Sequence, residues 1–134
     1  MDAHILANAY VILGAFLLAC FGAHLAYRNG HKARLAAAAA VFRAAINPAA
    51  FAGFQGHYLH AALVQAFPAH LAASKEFRRY LSSIDRLRFN KAWNAYHGGD
   101  ERYPDWLARY CVPAGGPALL IYHLETLRNI AGQT

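Results

Sequence analysis

Histidines are the residues whose type and spacing first suggest chemistry in this chain. His57 and His60 are three residues apart in a segment predicted to be helical, so both imidazoles could face one metal ion. Two ligands do not make a site, and the spacing requires no third ligand from the remaining donors, which are His70, His97, Cys111, His123 and Glu125. The alternative is that these histidines lie at helix surfaces or give one hydrogen bond to the core. A histidine-dependent metal-binding protein or metalloenzyme is therefore the secondary hypothesis.

A cysteine nucleophile is the other chemistry to consider. Cys111, followed by Gly115 and Gly116, is the one arrangement that could combine a nucleophile with backbone donors, but no known signature surrounds it. The two glycines more simply end a loop before the next helix. Cys20 lies far from Cys111 in a different setting, so we expect no disulfide. We predict a non-enzymatic protein without a cofactor.

A basic segment at residues 75–91 could bind a partner. Its basic side chains alternate with aromatic ones, and those expected to make the contact are Arg78, Arg79, Arg86, Arg88 and Lys91. The segment is either a solvated face over an aromatic core or a surface for a cytoplasmic protein, for anionic lipid or for nucleic acid. We do not expect nucleic acid, because a membrane tether would limit access to the nucleoid.

The segment that suggests the tether is residues 3–27, which are 25 consecutive residues without Asp, Glu, Lys or Arg. A helix needs about 20 residues to cross a hydrocarbon core of about 30 Å. The length therefore predicts one transmembrane helix, in an anchor comprising residues 1–30, followed by a helical domain at residues 31–134.

Charge predicts the orientation of this span. All 13 basic residues of the chain lie at or after Arg28, against 6 acidic residues there, which gives that part a net charge of +7. Arg28, Lys32 and Arg34 follow the apolar segment immediately, whereas no Lys or Arg precedes it. The positive-inside rule then places the domain in the cytoplasm and the N-terminus outside.

Three alternatives to a membrane span remain open. A cleaved secretory signal would need a basic start, and Asp2 is acidic. Residues 17–20, Leu-Leu-Ala-Cys, match a lipobox in which Cys20 would carry lipid, although apolar residues follow it. A buried helix of a soluble domain would need more chain to cover it.

A second span is not expected. Residues 44–73 also lack charged side chains, but a crossing there would put basic segments on both sides of the membrane, so we expect a buried or interfacial helix.

The rest of the sequence predicts an all-α fold, a small helical bundle. A helix at residues 32–46, which either follows a bend at Asn29 and Gly30 or prolongs the membrane helix, ends at Asn47 and Pro48. Pro68 should start a new helix after residues 57–67. The residues expected to face inward from residue 68 onward are Leu71, Phe77, Leu81 and Ile84.

The C-terminal half carries the clearest helix signals. Ser82 and Asp85 match a capping box, and a kink there would bring a second apolar stripe, Phe89, Trp93 and Tyr96, into the core. Two glycines at residues 98 and 99 end that helix. The last helix begins near Pro117 and should pack with its stripe of Leu120, Leu124, Leu127 and Ala131.

This order of features resembles a loose group of short, uncharacterised proteobacterial proteins with one N-terminal span and a helical cytoplasmic domain. The resemblance rests mainly on Phe42-Arg43, Phe77-Arg78, Arg88-Phe89, Lys91-Ala92-Trp93, Tyr96 and His123-Leu124. It implies the architecture and a location in the bacterial inner membrane, and it supplies no catalytic residue. The function that we expect is a membrane-tethered helical module that docks a cytoplasmic protein or anionic lipid.

Overall fold

The structure, a computed structural model, describes residues 3–98 and 104–134, with side-chain exposure for residues 12–98 and 106–134. Its elements in chain order are α1 (Ala3–Ala45), a first 3₁₀ helix (Pro48–Phe51), α2 (Gly56–Tyr80), α3 (Ser83–His97), a second 3₁₀ helix (Pro104–Tyr110) and α4 (Gly116–Gln133). The described residues contain no strand, so the predicted all-α fold is confirmed.

The chain forms two compact units, residues 1–34 and residues 35–134. In the first unit, α1 is one continuous helix through Asn29 and Gly30, so the helix expected at residues 32–46 prolongs the N-terminal helix, as the second of the two sequence alternatives had it. From residue 12 onward in this unit, its large apolar side chains are exposed, among them Ile12, Phe16, Leu18 and Phe21. Within the described residues, one helix is long and apolar enough to cross a membrane, and it is this N-terminal one.

In the second unit, the prediction that Pro68 starts a new helix is wrong. Helix α2 runs through Pro68, because a proline inside a helix removes one hydrogen bond and kinks the chain but does not have to end it. The buried residues of α2 lie on one face on both sides of the proline, since Leu63 and His70 are seven residues, or about two turns, apart; they include Leu59, Leu63, His70, Ser74 and Phe77. Burial of this continuous stripe outweighs the cost of the proline.

The boundary between α2 and α3 confirms one prediction and corrects another. The Ser82 Oγ accepts from the backbone N–H of Asp85 at 3.2 Å, as expected for the helix cap, and donates to the Asp85 carboxylate at 2.6 Å. Ile84, predicted to be buried, is 74% exposed. It lies beyond the cap and so shares the phase of α3, which places it about 140° from Phe89 around the helix.

An aromatic core holds the second unit together. The rings of Phe42, Phe77 and Phe89 lie within 5.3 Å of one another, and Trp93 stacks on Phe89 at 6.1 Å. Helix α3 packs against α4, whose predicted stripe is buried as expected: Leu120, Leu124, Leu127 and Ala131. Aromatic pairs contribute roughly 0.5–1.5 kcal/mol each beyond the area that they bury.

Two glycines are required by the backbone around the second 3₁₀ helix. Gly98 ends α3 in the left-handed region at φ 73°, and its N–H donates to the carbonyl of Asn94 at 2.8 Å. Gly116 opens α4 so close to the preceding turn that a Cβ there would lie 2.5 Å from the carbonyl oxygen of Tyr110. The predicted partner of Gly98, the second glycine at position 99, lies outside the described residues.

Candidate functional site

The two predicted metal ligands lie near the start of α2, at its second and fifth residues. His57 and His60 are both exposed, and the ring of His57 contacts Tyr58 at a centroid distance of 3.9 Å. Among residues 3–98 and 104–134, no group of three or more His, Cys, Asp or Glu side chains could hold a metal ion. The metal hypothesis thus gains no third ligand from the part of the chain that the structure describes.

Two of the other donors considered with these histidines, His70 and His97, lie in the core. The Nδ1 of His70 lies 2.8 Å from the hydroxyl of Tyr96, and burial lowers the pKa of His70 to about 4, against a smaller opposing effect of the Ala45 carbonyl. His97 is buried between the rings of Trp93 and Trp106. Both histidines therefore act as core residues in this structure.

Cys111, the predicted alternative nucleophile, is a thiol bonded to the backbone. Its Sγ lies 3.6 Å from the carbonyl oxygen of Leu107 in the second 3₁₀ helix, and burial raises the pKa of the thiol. A nucleophilic cysteine needs the opposite shift, toward thiolate. The geometry at Cys111 is that of a structural residue.

A polar network that the sequence did not indicate fastens the second 3₁₀ helix to the end of α3. The Nη2 of Arg109 donates to the hydroxyl of Tyr110 at 2.7 Å and to the carbonyls of Ala95 and Tyr96, and the Tyr110 hydroxyl donates to the Tyr96 carbonyl. Burial raises the pKa of Tyr110 to about 12, so its hydroxyl stays a donor at physiological pH. The network satisfies the last carbonyls of α3, and so its role is structural.

The five basic residues predicted to make contacts divide into two groups. Four are exposed as expected: Arg79, Arg86, Arg88 and Lys91. Arg78 instead is half-buried, with its guanidinium 5.6 Å from the ring centre of Phe89. The Nε and Nη2 atoms of Arg78 are buried and have no hydrogen-bond partner. Arg78 is therefore not the freely solvated side chain that the sequence predicted.

A shallow basic cleft of about 410 Å³ surrounds this arginine. It lies at the junction of α2 and α3 and is lined by Lys75, Arg78, Arg79 and Arg86. The nearby acid, Glu76, accepts from Arg79 at 2.9 Å and from the Tyr80 hydroxyl at 3.1 Å, and the bond from Arg79 holds the pKa of the Glu76 carboxyl below its usual range. Among the described residues that line the cleft, none is acidic.

Beside this cleft, α3 presents an apolar pair to solvent. Ile84 is 74% exposed and Leu87 is 72% exposed. At about 100° per residue, both lie on the strip of the helix that also carries Lys91, opposite the buried Phe89 and Trp93. The sequence carried a signal for this face, since Ile84 and Leu87 fall outside the 89–93–96 stripe, but Ile84 was assigned to the preceding helix.

A second cleft, of about 540 Å³, lies along α4. Its lining mixes charges of both signs with amides: Arg43, Glu125, Arg128, Asn129, Gly132 and Gln133. The Nη1 of Arg128 donates to the side chain of Asn47 at 3.5 Å. A mixed lining without unpaired buried groups suggests no particular ligand.

No protein-family model matches the chain, and neither a curated protein nor a solved structure matches it. The resemblance to short proteobacterial membrane proteins therefore stays a prediction. What the fold and surface define is a class of architecture: a long apolar N-terminal helix followed by an all-α unit with a basic cleft and an exposed apolar pair. Function has to be inferred from that surface.

Proposed function

We propose that the chain is a non-enzymatic, single-pass protein of the bacterial inner membrane whose cytoplasmic domain docks on the anionic inner leaflet. The anchor is the N-terminal part of α1, since it is long enough to span and its apolar side chains are exposed rather than packed in a core. A buried soluble helix would need those side chains covered. Exposure of these side chains in the described part of the helix favours a membrane anchor over a core helix.

The orientation rests on charge. Arg28, Lys32 and Arg34 directly follow the apolar segment, and basic residues beside a span are retained in the cytoplasm. Residues 35–134 come next in the chain, so the anchor holds them near the leaflet that carries the anionic lipids. A high local concentration of headgroups favours weak contacts that would fail for a free domain.

The observation that carries the proposal is the exposed pair Ile84 and Leu87 between the basic side chains of α3. Arg88 and Lys91 on the same helix are exposed, and Arg88 makes one hydrogen bond, from its Nη2 to the side-chain oxygen of Gln133 at 3.2 Å. Each basic residue near an anionic bilayer contributes about 1 kcal/mol of attraction, and apolar side chains between them can enter the headgroup boundary. An acidic cytoplasmic protein is the other occupant that this charge would suit.

We expect the position of Leu87 to enter an apolar environment when the membrane is anionic. The test uses the full chain with Leu87→Cys as its single cysteine, after Cys20→Ser and Cys111→Ser, labelled with an environment-sensitive fluorophore in nanodiscs. Emission should shift to the blue in nanodiscs of equal parts phosphatidylglycerol and phosphatidylcholine. It should not do so in pure phosphatidylcholine, because the attraction is electrostatic.

The matched control places the same label at Val112, which is exposed to 50% but lies in the loop before α4. That label should report the same environment in both membranes. Reversal of Arg88 and Lys91 to Glu should abolish the shift at Leu87. An emission at Leu87 that is identical in anionic and neutral nanodiscs would contradict leaflet docking and favour an acidic protein partner.

A further inference from the structure

Two exposed histidines near the start of α2 are neighbours on one side of the helix. His57 and His60 are three residues apart, so their Cβ atoms lie about 5–6 Å from each other. The ring of His57 lies against that of Tyr58, at a centroid distance of 3.9 Å. Two imidazoles at this spacing can occupy two positions of one transition-metal ion.

A single copy of the chain does not complete the coordination of such an ion. Among residues 3–98 and 104–134, no group of three or more His, Cys, Asp or Glu side chains could hold a metal. A structural zinc site has four protein ligands in a tetrahedral arrangement, so two histidines leave two positions open. A second copy of the chain, related by a two-fold axis, would bring the same two histidines to those positions.

The surface around the two histidines suits a second copy. The chain has 13 basic and 7 acidic residues, a net charge of +6, so two copies repel each other overall. Residues 44–73, by contrast, contain no Asp, Glu, Lys or Arg, and Phe54, Tyr58 and Val64 of this segment are exposed. Few charges and exposed aromatic rings are typical of the centre of a protein interface. Contact through this segment would bring few like charges together.

We propose that two copies of this chain pair through the uncharged first half of α2 and together bind one zinc ion with His57 and His60 of each copy. Zinc takes neutral imidazole as a ligand, at a Zn–N distance of about 2.0–2.1 Å. The four bonds join the copies, and Tyr58 and Val64, which neighbour the histidines on the helix, enter the contact. The inference does not depend on leaflet docking, which uses α3.

The test measures zinc stoichiometry and molecular size together. The full chain, prepared without a histidine tag, is titrated with Zn²⁺ by calorimetry in neutral detergent micelles at a pH of about 7.5, where histidine is ordinarily neutral. Analytical ultracentrifugation follows its oligomeric state. We expect saturation at one zinc per two chains, together with a change from monomer to dimer. No saturable binding, one zinc bound per monomer, or a dimer that forms equally without zinc would overturn the proposal.

Substitution of the ligands locates the site. His57→Ala and His60→Ala should each weaken zinc binding about 100-fold or more and leave the chain monomeric, because one substitution removes two of the four ligands. Both positions are exposed, so far-UV circular dichroism should be unchanged. The matched control, His31→Ala, removes an exposed histidine outside α2 and should leave the affinity unchanged. Equal losses in all three variants would show unspecific binding to histidines and overturn the site.

Val64→Lys tests the second copy separately from the ligands. It keeps both histidines but places a like charge from each copy in the contact, one turn after His60, so dimerisation should need about tenfold more zinc or more. The matched control, Ile84→Lys, adds the same charge beyond the C-terminal end of α2, which lies about 30 Å from His60 along the helix axis. It should dimerise with zinc like the unaltered chain. Equal dimerisation of the two lysine variants would overturn pairing through this face.

Discussion

Trp93→Ala should lower the free energy of unfolding by about 3–5 kcal/mol, the range for removing a large aromatic side chain from a core. Trp93 is 1% exposed, and its ring lies 6.1 Å from Phe89, 5.5 Å from Tyr96 and 6.3 Å from Phe67. A cavity at this point would remove contacts from α2 and α3 together. The free energy of unfolding of a small domain is only about 5–15 kcal/mol in total, so the variant should be degraded or aggregate in cells.

The measurement is urea unfolding of the full chain in micelles, followed by circular dichroism. Trp93→Phe is the conservative control and should lose less stability, because a ring still fills the site. Leu87→Ala and Arg88→Glu alter exposed positions of the same helix and should each change stability by no more than about 0.5 kcal/mol. If Arg88→Glu unfolds the domain while Trp93→Ala unfolds at the same urea concentration as the unaltered chain, the assignment of inner and outer faces of α3 is wrong.

Acidification should destabilise the domain through His70. Its pKa is lowered from 6.5 to about 4 by burial, so the folded state resists protonation while the unfolded state accepts a proton. The contribution of neutral His70 to the free energy of unfolding is fully present above pH 6.5 and is lost as the pH falls toward 4. The shift corresponds to a loss of about 3 kcal/mol across this window.

His70→Gln isolates this contribution. Glutamine can still bond to the Tyr96 hydroxyl but does not titrate, so the variant should lose the part of the pH dependence between pH 6.5 and 4. His123, whose pKa is also lowered by burial, titrates in both proteins and cancels in the comparison. Parallel plots of unfolding free energy against pH for the two proteins would contradict a buried neutral His70.

Local signals were sufficient for much of the second unit. The Ser82 cap, the stripe of α3 and the stripe of α4 depend on neighbours within one or two helical turns, so spacing predicted them correctly. Pro68 was misjudged for the opposite reason. Its effect on helix α2 depends on tertiary burial of residues on both sides, from Leu63 to His70, and propensity alone does not include that contribution.

The candidate surface was predictable in composition and not in geometry. Spacing identified the basic residues of α2 and α3, but it could not show that Arg78 turns toward Phe89, because that contact joins two helices through a kink. Ile84 lies at the same kink, and its spacing assigned it to the buried stripe of α2 although it belongs to α3. The bond between His70 and Tyr96, 26 residues apart, had no local signal at all.

The location of the domain tests the proposed function most directly. Two C-terminal fusions of the full chain in bacterial cells measure it: a green fluorescent protein that folds only in the cytoplasm, and an alkaline phosphatase that is active only in the periplasm. We predict a fluorescent, membrane-bound first fusion and an inactive second one, with the N-terminus uncleaved. Active phosphatase, or a mature chain that begins at a lipidated Cys20, would contradict a single-pass protein with its helical domain in the cytoplasm.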